Sequence, residues 1–160
     1  MTAATLIVAN TLKGIVSATF SAVGFVTAAT PETAVQAKHL PAGLRPPCVL
    51  VLAGDGVYTD STLTRCQQFH LILIDLLAGS DDARTAAALG RFDALQELFP
   101  PDGLQSGDVV FIPESFRLLD CPDSRAAACL TVAALSPSRT TEAVSIAGST
   151  ASAESNTAPA

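Results

Sequence analysis

Two histidines and four cysteines are the side chains of this sequence best suited to acid–base, nucleophilic or metal chemistry. The cysteines are Cys48, Cys66, Cys121 and Cys129, and no two follow the C-x-x-C spacing of a zinc or redox pair. His39 and His70 have no ligand-like neighbour in sequence, so no metal set is assembled. Disulfide frameworks belong to short exported chains. The cysteines therefore read as four buried or half-buried free thiols that behave as small hydrophobes. A nucleophile needs a base within reach and a third group to orient that base. His70 is the best base, yet it stands in the most apolar stretch, Phe69-His70-Leu71-Ile72-Leu73-Ile74. A lone histidine there reads as a satisfied core or interface residue. Gly54-Asp55-Gly56 lacks the spacing and the lysine of a phosphate loop, and Asp55 would repel a phosphate. Asp55 and Asp60, around Tyr58, lack the regular oxygen spacing and closing glutamate of a calcium loop. No catalytic, cofactor-binding or metal-binding residue is assigned.

The scaffold for these side chains is small. A chain of 160 residues fits one domain. Hydrophobic residues make up 49% of it, many of them alanine, with 7 Phe, 1 Tyr and no Trp, so few large side chains carry the core. The net charge of −6 argues against unaided binding to a nucleic-acid backbone, which needs a basic surface. It suits a surface that DNA slides past. Residues 1–31 hold one charge, Lys13, in the middle of the stretch where an export signal needs an apolar run. No run reaches the roughly 20 apolar residues of a membrane span. The stretch reads as the first element of the fold. A cleaved export segment is the alternative, and an intact mature N-terminus excludes it.

The pattern predicts a helix over 3–20, with Val8, Leu12, Ile15 and Thr19 on one face and Leu6 and Ile7 widening it. A short strand follows at 25–29, ended by Thr30-Pro31. Residues 32–47 read as loop, punctuated by Pro41, Gly43, Pro46 and Pro47. Residues 48–52 read as a strand, and Gly54-Asp55-Gly56 as a turn. Residues 65–77 form a strand apolar on both faces, hence central in its sheet. A helix then starts at Ser80, with Asp81 and Asp82 in its first turn and Leu89, Phe92, Leu95 and Phe99 as its stripe. Arg84 and Arg91 read as one solvated or partner-facing edge. Pro100-Pro101 stops the helix. Residues 109–112 form a strand closed by Pro113, 114–121 a short strand or loop, and 126–135 the last strand. From Ser136 large apolar groups are few, and the Ala/Ser/Thr-rich segment 136–160 reads as disordered or ordered by a partner. The expected fold is α+β over residues 1–135: a small mixed, mainly antiparallel sheet packed by two helices.

This order resembles a family. A first helix precedes a variable strand and loop, then the strand Pro-Pro-Cys-Val-Leu-Val-Leu and a Gly-Asp-Gly turn. The long strand Thr-Arg-Cys-Gln-Gln-Phe-His-Leu-Ile-Leu, a helix and closing strands complete it. Over residues 3–135 it is similar to the tail terminator proteins of long-tailed bacteriophages, in lambda-like and Mu-like tails. The resemblance implies a virion structural protein, not an enzyme, with no cofactor and no membrane. It implies a six-membered homo-oligomeric ring, assembled in the host cytoplasm, that caps the tail tube and meets the head connector. DNA then passes through the lumen without specific binding. Its partners would be the tail tube protein and the head-completion protein.

Sheet edges and loops are natural ring contacts. The segments 55–64 and 114–123 leave strand ends, so Asp55, Tyr58, Arg65, Glu114, Phe116 and Arg117 are the candidate interface residues. Aromatics and arginine are favoured at interfaces. Another neck protein, a head-closure or head–tail joining subunit, is the near alternative. A small-molecule binder or enzyme is the distant one, and it would show a polar pocket around a shifted titrating group.

Overall fold

A computed structural model describes residues 3–36, 40–41, 43–59, 64–76, 82–121 and 125–137. The chain runs α1 (Ala3–Ser17), β1 (Val23–Val26), α2 (Pro31–Gln36), β2 (Cys48–Thr59) and β3 (Thr64–Leu76). It continues through α3 (Asp82–Glu97), β4 (Leu104–Ser106), β5 (Val109–Leu119) and β6 (Arg125–Pro137). The strands form one curled sheet in the order β1-β2-β3-β6-β5-β4. Among the described residues only the β1–β2 pair is parallel, so the sheet is mixed and mainly antiparallel, as the pattern predicted.

The two-faced β3 lies between β2 and β6, inside the sheet. Phe69, Leu71 and Leu73 join the main core, which α1 and α3 cover. Ile72 and Ile74 join a second core on the other face, under Ala34 and Val35 of α2. A strand's alternation thus feeds two cores at once. Each fully buried large side chain there stabilises the fold by about 1.5–3 kcal/mol. On α1 the buried stripe is Thr5, Val8, Ala9, Leu12 and Val16, whereas Leu6 and Ile7 are exposed. On α3 it is Ala88, Phe92 and Leu95, followed by Phe99, while Leu89 stays exposed. The rings of Phe92 and Phe116 lie 6.2 Å apart, and those of Phe99 and Phe111 6.3 Å, tying α3 to β5.

Several expectations need correction. The first helix ends at Ser17, and the first strand is Val23–Val26. Thr30-Pro31 starts a helix: Thr33 N–H donates to Thr30 Oγ1 at 3.2 Å, and proline suits the first helical position. Part of 32–47 is therefore helical, which adds a third helix. Gly54-Asp55-Gly56 does not turn the chain; it is a bulge inside β2, between Ala53 and Gly56. Pro113 does not close its strand either, because β5 continues through a bulge between Pro113 and Ser115 to Leu119. Proline is tolerated at a bulge, where the ladder is already interrupted. The hairpin Ser106-Gly107-Asp108-Val109 joins the unforeseen β4 to β5, and Gly107 supplies the positive φ (60°) of its first turn position. Ser136 and Pro137 still belong to β6. Ser80, Asp81, His39 and residues 138–160 lie outside the described residues. Among the described residues no helix is long and apolar enough to cross a membrane.

The two bulges share a row. Ala53 pairs with Phe69, Phe69 with Val132, and Val132 with Pro113, and each bulge begins directly after that row. Bulges bend a strand and increase its twist. Placed on both sides of the β3–β6 pair, they account for the curl.

Candidate interaction face

One row on from Phe69, on the face turned away from α1 and α3, stands His70. Register brings Thr131 opposite it across β3 and β6, although 61 residues separate the two. His70 Nδ1 and Thr131 Oγ1 share a 2.9 Å hydrogen bond. Cys129 Sγ lies 3.9 Å from each of these atoms. Gly54 leaves the space for the imidazole: a Cβ there would meet His70 Nε2 at 3.0 Å and the Gln68 carbonyl at 3.2 Å. Gly54→Ala should therefore lower stability by about 1–2 kcal/mol, read as a reduced urea midpoint, because the backbone neighbour cannot yield cheaply.

Charges rim this centre. Gln68 Nε2 donates to Glu114 Oε1 at 2.9 Å. Arg117 on β5 pairs with Glu32 on α2, and this pair holds the Glu32 carboxyl below its ordinary range. Asp55, exposed in the β2 bulge, acts on His70 in the opposite sense to Arg117, as do Glu32 and Glu114. Burial first, and Arg117 second, hold His70 below the ordinary imidazole value of 6.5. Burial pushes the Cys129 thiol up. A thiol 1% exposed and protonated at neutral pH is not an activated nucleophile. The arrangement satisfies its buried polar groups and presents fixed charges of both signs around them, which suits selection of a partner.

The depressed imidazole has a sign in stability. As pH falls, the unfolded chain binds the proton first, so stability is full above about pH 6.5 and is lost as pH falls through the lower folded value. The urea midpoint should drop between about pH 7 and about pH 5, and His70→Gln should flatten that drop.

The structure brings Asp55, Glu114 and Arg117 around His70 and leaves the other candidates elsewhere. Arg65 faces α1, where its guanidinium contacts Thr5 Oγ1 and Gln67 Oε1. Phe116 faces α3 and is half-buried. Together with Glu114 it lines an open cleft of about 520 Å³, alongside Phe99, Pro100, Pro101 and Pro113. Tyr58 lies in β2, and its side chain is outside the described set. The segment 55–64 is not a loop at its start, because 55–59 is strand; 114–119 is strand too, one of the two readings its sequence allowed. Sequence reasoning missed Glu32, Gln68 and Thr131. The alternation of β3 put Gln68 and His70 on one face, but nothing local pointed to Thr131 or to α2.

The fold defines a small α+β protein with a curled, six-stranded, mainly antiparallel sheet. No protein-family model matches the chain, and a search of curated proteins finds no match.

Proposed function

We propose that this chain is a structural subunit of a bacteriophage tail. It forms a six-membered ring at the head-proximal end of the tail tube, ends tube growth and meets the head connector. The observation that carries this reading is a pair of half-covered sheet edges. β1 covers Val49–Leu52 of the 12-residue β2, and β4 covers Val109–Phe111 of the 11-residue β5. Among the described residues the rest of both outer edges has no strand partner. Asp55 and Tyr58 stand on the free stretch of β2; Glu114, Phe116 and Arg117 stand on that of β5. Unpaired edges are association surfaces. Two edges of different sequence on one subunit suit head-to-tail contacts that close a ring. The acidic balance suits a lumen through which DNA slides. The likeness of element order to tail terminators supplies the ring's place.

Gold-labelled antibody on purified virions should mark the head-proximal end of the tail. Phage lacking the chain should make tails of uncontrolled length. Label at the head vertex with tails of normal length would favour a head-closure or head–tail joining ring. A chain absent from virions would sink the whole reading.

A further inference from the structure

We propose that neighbouring copies join by antiparallel pairing of the free β2 edge of one, residues 54–57, with the free β5 edge of the next, residues 115–118, Asp55 opposite Arg117. This rests on the self-assembling reading above and names the contact that it needs.

Direction comes first. β2 and β5 run in opposite senses within the sheet, since three antiparallel pairings separate them. Extending the sheet from one copy to the next with the same face outward therefore makes an antiparallel ladder. Shape comes second. The row through Ala53, Phe69, Val132 and Pro113 divides both edges. On β2 the covering strand β1 lies on one side of this row and the free residues on the other. On β5 the order is reversed, with β4 on the side where β2 is free. Each edge is thus a step, and the two steps face opposite ends of the strands. When the free stretches pair, the neighbour's β1 passes beyond Leu119 and β4 passes beyond the neighbour's Thr59. The resulting stagger tilts the strands against the ring axis, as closure of a barrel requires.

Register comes third. Only residues on the same face can stand opposite each other without mixing the faces. Val57, 61% exposed, pairs with Cys66, and Ser115 with Thr131, so both point away from α1 and α3. The register that sets Val57 opposite Ser115 also sets Asp55 opposite Arg117 on that face. On the other face it sets Gly56, which has no side chain, opposite the half-buried Phe116. Arg117 already holds Glu32, but both side chains are about half exposed (47% and 54%), so exchanging that partner costs little. Pro113 and its bulge blunt the edge just beyond the ladder, which limits pairing with the wrong strand.

The test uses the full chain, with association followed by analytical ultracentrifugation over a concentration series. Asp55→Arg and Arg117→Asp should each weaken association by about tenfold or more, because each sets like charges opposite one another. The double variant should recover most of the loss. Mixing the two single variants should restore association, with the two kinds of copy alternating. Every contact between unlike copies sets opposite charges face to face, and only contacts between like copies are repulsive. Both sites are exposed, and unchanged circular dichroism will show that the fold survives. Single variants that assemble like the wild type, or a double variant that fails to recover, overturn the pairing. A wild-type chain that stays monomeric throughout also overturns it, and the virion experiment then decides the tail reading by itself.

Discussion

Phe69→Ala is expected to cost about 4 kcal/mol, the range for removing a large aromatic side chain from a packed core. Phe69 is fully buried in the middle of β3, with β2 on one side and β6 on the other. Its ring belongs to the cluster that Leu12 and Val16 of α1 and Leu95 of α3 close from above. Its direct neighbours in the sheet, Ala53 on β2 and Val132 on β6, are small and fixed by the strand pairing, so they cannot move in to fill the space. The cavity term should therefore stay near its full value. A small domain has about 5–15 kcal/mol in hand, so the variant would fold but sit near its limit. Urea denaturation should show a midpoint lowered by about 2 M at a typical slope. Leu118→Ala is the control: Leu118 is 66% exposed, so its loss should change stability by no more than about 0.5 kcal/mol in the free chain. A Phe69→Ala cost under about 1 kcal/mol would mean that this cluster is not the core.

Arg91→Ala is expected to be the next most damaging change. Arg91 Nη1 donates to Asp75 Oδ2 at 2.7 Å, and the Asp75 side chain is only 4% exposed. Its other oxygen accepts the Leu76 backbone N–H at 2.8 Å. Removing the guanidinium leaves a buried carboxylate with half its partners. Breaking a fully buried pair costs about 3–5 kcal/mol. Arg91 is itself 41% exposed, and solvent screening reduces the figure to about 2 kcal/mol. The reciprocal change, Asp75→Asn, keeps the shape and removes the buried charge. It should therefore cost less than Arg91→Ala, and a reversal of that order in urea melts would refute the desolvation account. The pair also explains why Arg91 is not the solvated edge that its spacing from Arg84 suggested: it anchors α3 to the end of β3.

The parts of the fold that could be read in the sequence are those fixed by local periodicity. Apolar side chains on both faces of Phe69–Ile74 placed β3 inside the sheet, and the stripe Phe92, Leu95, Phe99 located α3. The parts that were misread involve residues whose chemistry permits two structures. Glycine and aspartate serve a turn and a bulge equally well, and only pairing with β3 decides between them for residues 54–56. Thr30-Pro31 carries a stop signal for a strand and a start signal for a helix in the same two residues. Pro113 removes a donor, which ends a regular strand but is harmless where a bulge has already broken the ladder. The polar cluster was half legible. His70 stood out in an apolar run, but its partners come from β6, β5 and α2, and long-range register alone brings them together.

Each bulge also separates two properties of the chain that are usually written together. Between Pro113 and Ser115 one residue, Glu114, is extra to the ladder, and between Ala53 and Gly56 one of Gly54 and Asp55 is extra. Deleting such a residue would leave every later pair in place and every side chain on its present face, while removing the bend. Face identity is thus encoded by alternation, and arc by single surplus residues. The radius of any assembly that continues this sheet can therefore change through one-codon deletions of Gly54 or Glu114, which leave Asp55 and Arg117 in place.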